Sequence, residues 1–141
     1  MANYYGKVRT NYFKVNDEER FKEIMGFLRG EDEVVYHEHD RVKGKFMFYC
    51  DGSLTGYVED EDNEDSYDDA WDEMVRKLQT VLPEGEAIIL TEIGSEKMRY
   101  FTAYSAIITA NGTGWVDLGD LAVEEAGRLL GNPDYSTQIY Y

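Results

Sequence analysis

Apolar positions along this chain switch between two periods, and the switches mark its elements. Residues 10–15, Thr-Asn-Tyr-Phe-Lys-Val, are rich in strand formers and predict a short strand. From Phe21 the period becomes helical, with Ile24, Met25 and Leu28 on one face. Asn16 reads as the N-cap of that helix, Glu19 as its capping-box partner, and Gly30, after Arg29, as its stop. Two strand-like runs follow, residues 33–37 and residues 45–50. The Asp51-Gly52 turn signal and the run from Leu54 to Val58 predict a hairpin with the second of them.

A second helical stretch places Trp71, Met74, Val75, Leu78, Val81 and Leu82 on one face. Ser66 reads as its N-cap with Asp69 in the reciprocal position, and Pro83 and Gly85 stop it. Asp72 with Arg76 and Glu73 with Lys77 are i,i+4 pairs of the favourable orientation. Residues 87–91 and 98–109 predict strands, Asn111-Gly112 a turn, and Gly114-Trp115-Val116 a short third strand. Asp117 caps a last helix whose Leu118, Leu121, Ala122, Ala126, Leu129 and Leu130 are expected to face inward, with Gly131 and Pro133 at its end. The tail from Asp134 to Tyr141 is expected to add a short terminal strand.

The expected order is β-α-βββ-α-βββ-α. Three strands after each of the first two helices favour hairpins over βαβ crossovers. The pattern predicts one α+β domain over residues 1–141, with a mostly antiparallel sheet of about six to seven strands and three helices packed on one side. The repeated α-βββ order resembles an internal duplication, although no repeated sequence accompanies it.

Composition narrows the class. With 141 residues, 43% of them hydrophobic, the chain is long enough to bury a core and too apolar for a disordered acidic tail. Cys50 is the only cysteine, which excludes an internal disulfide and Cys-rich zinc sites; beside Phe48 and Tyr49 it reads as a small core residue. The segment Met1-Ala2-Asn3-Tyr4-Tyr5 lacks the form of a signal peptide, and no apolar run approaches the ~18 residues of a membrane span. A soluble, cytoplasmic protein is expected.

Charge changes the picture most. The net charge is −15, and residues 31–73 hold 16 acidic side chains against three basic ones, Arg41, Lys43 and Lys45. The densest stretch runs from Glu59 to Glu73, with ten carboxylates and no cation: Glu59, Asp60, Glu61, Asp62, Glu64, Asp65, Asp68, Asp69, Asp72 and Glu73. Like charges this close destabilise the compact state by self-repulsion. Adaptation to high salt would spread acid over the whole surface instead of concentrating it. Such a surface repels nucleic acid and anionic membranes and attracts basic protein surfaces.

Catalytic and metal chemistry finds little support. An EF-hand register from Asp62 puts Tyr67 where glycine is required, and one from Asp60 puts Trp71 at the twelfth position. His37 and His39 share a strand face, but the chain has only two histidines and the pair reads as exposed among acidic neighbours. No phosphate-binding glycine loop and no nucleophile elbow is present. Carboxylates are abundant, yet none is set apart in an apolar run as a general acid would be. No enzymatic activity, cofactor or metal is therefore expected.

One arrangement carries physics. Carboxylates at i,i+4 on a helix stand about 6 Å apart, close to the phosphate spacing along a nucleic-acid strand. An acidic loop leading into an acidic helix start, flanked by Tyr57 and Tyr67, would present a curved row of negative charge. Such a row fits a Lys/Arg channel built to neutralise phosphates. The ten carboxylates are the expected partner-binding residues.

Three stretches carry a resemblance: Ala2-Asn3-Tyr4-Tyr5-Gly6-Lys7-Val8-Arg9-Thr10-Asn11-Tyr12-Phe13, Ile89-Leu90-Thr91-Glu92-Ile93-Gly94-Ser95-Glu96-Lys97-Met98-Arg99-Tyr100, and Leu130-Gly131-Asn132-Pro133. They resemble small acidic proteins carried by plasmids, integrative elements and phages of gut Firmicutes. The resemblance implies a setting in which anti-restriction and anti-CRISPR factors occur, several of them DNA mimics. It carries no residue-by-residue activity. The expected function is inhibition of a bacterial defence nuclease, a CRISPR effector first among them, by blocking its basic nucleic-acid-binding surface. The alternatives are a mobile-element accessory protein that binds a basic partner, and a small ligand-binding or hydrolase domain with a pocket among the tyrosines.

Overall fold

The computed structural model describes residues 4–138. Its elements are β1 (Tyr4–Thr10), β2 (Phe13–Lys14), α1 (Glu18–Met25), β3 (Leu28–Gly30), β4 (Val35–Glu38), β5 (Lys45–Asp51), β6 (Leu54–Tyr57), α2 (Ala70–Gln79), β7 (Ala87–Glu96), β8 (Tyr100–Thr109), β9 (Thr113–Asp117) and α3 (Leu118–Leu130). A 3₁₀ turn, Glu64–Tyr67, precedes α2. Seven strands form one antiparallel sheet in the order β2-β5-β1-β7-β8-β9, with β4 also paired to β5; β3 and β6 form a separate two-stranded sheet. The chain is α+β, with the three helices and the mostly antiparallel seven-stranded sheet that the pattern predicts.

Alternation explains which face of the sheet is buried. Val8, Thr10, Phe46, Phe48, Cys50, Ile88, Leu90, Ala106 and Ile108 fall on one face and are buried. Phe21, Ile24 and Met25 of α1 and Met74 and Leu78 of α2 close over it, joined by Val81 and Leu82 after α2 ends. Phe13 and Phe21 meet edge to face, with ring centroids 5.7 Å apart. Cys50 lies in this interior as expected, and burial pushes its thiol pKa up.

Several boundaries differ from the sequence reading, each for a physical reason. The first long strand is β1, ahead of residues 10–15; its inner face reads Tyr4, Gly6, Val8, Thr10, so its apolar alternation is weak. Asp17, not Asn16, caps α1, its side chain accepting from the Arg20 N–H. That helix ends at Gly26, not Gly30, and Leu28 is buried as the helical period required, but in β3. The hairpin between β5 and β6 does not form, because β6 turns away to pair with β3. Gly56 permits this: at φ 133°, a Cβ there would stand 2.3 Å from the Ala70 carbonyl oxygen at the start of α2. Asn63 caps the 3₁₀ turn in place of Ser66 capping a helix, and Asp69 flanks α2 without a side-chain cap bond. Trp71 packs on the core but is only half-buried, and Ala70 takes the buried position beside it. The element order therefore gains β1 ahead of the expected first strand and β3 after α1.

The largest departure is α3. Asp117 caps it and Gly131 ends it in a left-handed conformation, as expected. Its leucines, however, face outward: Leu118, Leu121, Leu129 and Leu130 are all exposed, and only Gly119 and Gly127 are buried. Residues 134–138 form no strand, and the rest of the expected terminal strand lies outside the described residues.

Candidate functional site

The acidic segment leaves β6 at Val58, makes the 3₁₀ turn and enters α2. Local bonds shape it. The Asp60 carboxylate accepts from the Asp62 N–H at 3.0 Å, and the Asn63 side chain accepts from the Asp65 N–H at 3.0 Å. These side-chain turns hold the loop against the spread that its own repulsion favours. The Tyr67 hydroxyl donates to the Glu61 carbonyl at 3.4 Å. Asp72 and Glu73 occupy the first turn of α2, where the macrodipole favours carboxylates.

Nine of the ten expected site residues are exposed, and Glu73 is half-buried. Two of them are neutralised within the chain. Glu61 pairs with Arg29. Glu73 pairs with Arg76 and stands 3.8 Å from Lys77; the Arg76 hydrogen bond holds its pKa below the usual carboxylate range. The expected Asp72–Arg76 pair is replaced by Glu73–Arg76 at i,i+3. The other eight, Glu59, Asp60, Asp62, Glu64, Asp65, Asp68, Asp69 and Asp72, make no ion pair among the described residues.

The fold brings part of the row together. Glu59, Asp65, Asp69 and Glu73 line one shallow cleft with Tyr57, Ser66 and Arg76. Asp60, Asp62, Glu64, Asp68 and Asp72 do not line it. Tyr57 fixes the start of the row: its ring is buried and packs on Phe27 at 5.4 Å. Its hydroxyl donates to Glu59, and desolvation followed by that bond pushes its pKa up to about 12.

The fold also extends the acidic surface beyond the predicted row. Glu61 shares a hollow with Asp32 and Glu33, which Lys22 and Arg29 also line. Asp32 in turn lines a neighbouring cleft of about 540 Å³ with Glu31 and Asp51. Among the described residues, the only basic one lining that second cleft is Lys7, which is tied to Asp51 at 2.8 Å. Carboxylates thus extend from α2 through the 59–65 loop to the loops at Glu31 and Asp51, interrupted by Lys22 and Arg29 at the hollow between them. Glu31, Asp32, Glu33 and Asp51 were not among the expected site residues, although the charge excess over 31–73 already contained them.

Tyr4 and Tyr5 line the 540 Å³ cleft. Tyr4 lies across Gly6 and Gly94, where any Cβ would collide with its ring. It reaches Glu92, which is buried and accepts from the hydroxyls of Tyr4 at 2.6 Å, Tyr104 at 3.0 Å and Ser53 at 3.4 Å. Three hydroxyl donors satisfy this carboxylate, and desolvation with Glu92 pushes the Tyr4 pKa up to about 12. The histidines are engaged separately. His37 stacks on Tyr49, and the His39 Nδ1 accepts from the Arg41 and Val42 N–H groups. Among the described residues no three His, Cys, Asp or Glu side chains converge to hold a metal ion. No described helix is long and apolar enough to cross a membrane.

No protein-family model, curated protein or solved structure matches the chain.

Proposed function

We propose that this protein inhibits a bacterial defence nuclease, a CRISPR effector before others, by acting as an acidic mimic of DNA. The observation that carries the reading is the exposed row in which eight of ten successive carboxylates make no ion pair among the described residues. Charge left unpaired on a folded surface is self-repulsive, and a Lys/Arg channel relieves that repulsion on binding. Glu59, Asp60, Asp62, Glu64, Asp65, Asp68, Asp69 and Asp72 stand in for phosphates; Glu61 and Glu73, already paired to Arg29, Arg76 and Lys77, position the loop and the start of α2 instead. The side-chain turns at Asp60 and Asn63 favour the reading because they fix the row's shape before binding, which lowers the ordering cost. The partner is a basic nucleic-acid-binding protein, and neither nucleic acid nor a membrane binds directly.

Purified protein added to DNA-cleavage reactions of a panel of CRISPR effectors and restriction nucleases tests the reading. Inhibition of at least one enzyme, relieved by excess DNA, is expected. Undiminished cleavage across the panel contradicts it.

A further inference from the structure

The seven-stranded sheet has a second face, turned away from α1 and α2. Alternation from the buried positions assigns its residues. One cross-strand row reads Tyr49, Arg9, Thr91, Ser105, Val116 from β5 to β9, and the Thr91 and Ser105 hydroxyls meet along it at 2.8 Å. The next row reads Asp51, Lys7, Ile93, Ala103. Every residue of both rows is exposed or half-buried, whereas the opposite face is closed by the helices.

This face has the opposite charge to the molecule. Its strand positions carry Lys7, Arg9, Lys14 and Lys45 and a single acid, Asp51, in a chain with 29 acidic and 14 basic residues. Asp51 is tied to Lys7, and Arg9, Lys14 and Lys45 make no ion pair among the described residues. Lys14 and Lys45 stand directly opposite each other across β2 and β5, where like charges destabilise a strand pair. The β7–β9 half of the face carries no charge and is apolar: Ile89, Ile93 and Val116 are 44%, 57% and 42% exposed.

We propose that this face docks an acidic protein segment, whose carboxylates meet Arg9, Lys14 and Lys45 and whose apolar side chains pack on Ile89, Ile93 and Val116. Charge complementarity carries the choice: an anionic partner relieves the repulsion among cations that the chain itself leaves unpaired. The acidic row leads into α2, in the layer on the other side of the sheet, and screening over ~8 Å at physiological ionic strength lets the two sides act separately. Nucleic acid fits less well. The cations are confined to β1, β2 and β5, and the other half, Phe101 apart, offers aliphatic side chains in place of rings on which bases stack. A second copy docked through the same face opposes like charges. An anionic membrane extends past the face and meets the net charge of −15.

Amide shift mapping of the full chain, titrated with a synthetic peptide of alternating glutamate and leucine, tests the proposal. Saturable shifts are expected at Arg9, Ile93 and Val116. Arg9→Gln/Lys45→Gln is expected to weaken the peptide roughly tenfold, and Ile93→Thr, which keeps every charge, roughly threefold. Both variants should keep the wild-type melting temperature; if either does not fold, the wild-type shift map decides. A single-stranded oligonucleotide and phosphatidylserine vesicles are expected to leave these shifts unchanged. Nuclease inhibition is no part of the readout, so the outcome is independent of the proposed mimicry. Absence of shifts at this face with the acidic peptide overturns the proposal. So does equal peptide affinity in the folded variants, or movement of the same shifts by the oligonucleotide, by the vesicles or by protein concentration alone.

Discussion

The Tyr57 hydroxyl donates a hydrogen bond to the Glu59 carboxylate across 3.1 Å, tying the first acid of the exposed row to a ring fixed in the core. Burial and this carboxylate hold the phenol protonated to about 12. Tyr4 is held to about 12 by burial and Glu92. A folded-state value raised above the ordinary tyrosine value of about 10 means stability that is complete below that pH and lost as pH climbs toward 12. Stability should therefore fall between about pH 10 and 12. In an alkaline absorbance titration of the folded protein, Tyr57→Phe should remove one late-ionising tyrosine. A single transition near 10 for every tyrosine would show that the contact is absent.

Neutralising the unpaired row should not harm the fold. Asp60→Asn keeps the oxygen that accepts from the Asp62 N–H, and Asp62→Asn, Glu64→Gln and Asp65→Asn remove exposed charge only. The melting temperature of the fourfold variant should hold or rise. Glu73→Gln should lower it slightly, since that carboxylate is held ionised by Arg76. Because its pKa is depressed, the Glu73 contribution is present at neutral pH and lost as pH falls below the ordinary carboxylate range. Thermal melts of both variants at neutral pH and near pH 3 check the pair of outcomes.

Core position should order the cost of aromatic truncation. Phe21 is fully buried against Phe13, Phe46 and Tyr36, so Phe21→Ala should cost about 3–5 kcal/mol. Trp71, half-buried at the start of α2, should cost less on truncation to Ala. Urea melts that reverse this order would place Trp71 in the core and α2 in a different phase.

Two glycines with positive φ separate strain from collision. Gly85 has φ 85° and open space around it, so Gly85→Ala should cost about 1–2 kcal/mol from backbone strain alone. Gly56→Ala adds contact with the Ala70 backbone and should cost more, about 2–4 kcal/mol. Equal costs in chemical denaturation would mean that β6 does not approach α2 so closely.

Local signals in the sequence located what depends on local physics. The sheet strands β5, β7 and β8 follow β-propensity and alternation, and the caps at Asp117 and Gly131 follow backbone preferences of single residues. What depends on distant partners was not legible. Leu28 satisfies a helical period and is buried, yet its partner is β6, and nothing local distinguishes the two outcomes. The leucines of α3 show that the helix has an apolar side, but periodicity says nothing of whether this chain covers it. The acidic row is visible as composition, whereas Arg29 at Glu61 and the meeting of Glu61 with Asp32 and Glu33 depend on the fold. The i,i+3 choice of Arg76 for Glu73 is a rotamer outcome that spacing leaves open.

The proposed mimicry is tested most directly by competition on a nuclease whose cleavage the protein is found to block. The fourfold variant Asp60→Asn/Asp62→Asn/Glu64→Gln/Asp65→Asn and the wild type are titrated against labelled DNA bound to that enzyme, at low and high salt. The account predicts that wild type displaces DNA and that raising salt weakens it, as charges separated by more than ~8 Å are screened at physiological ionic strength. It also predicts that the variant displaces DNA at least tenfold less well. Equal displacement by the variant, or simultaneous binding of DNA and protein, would contradict mimicry even where inhibition is real.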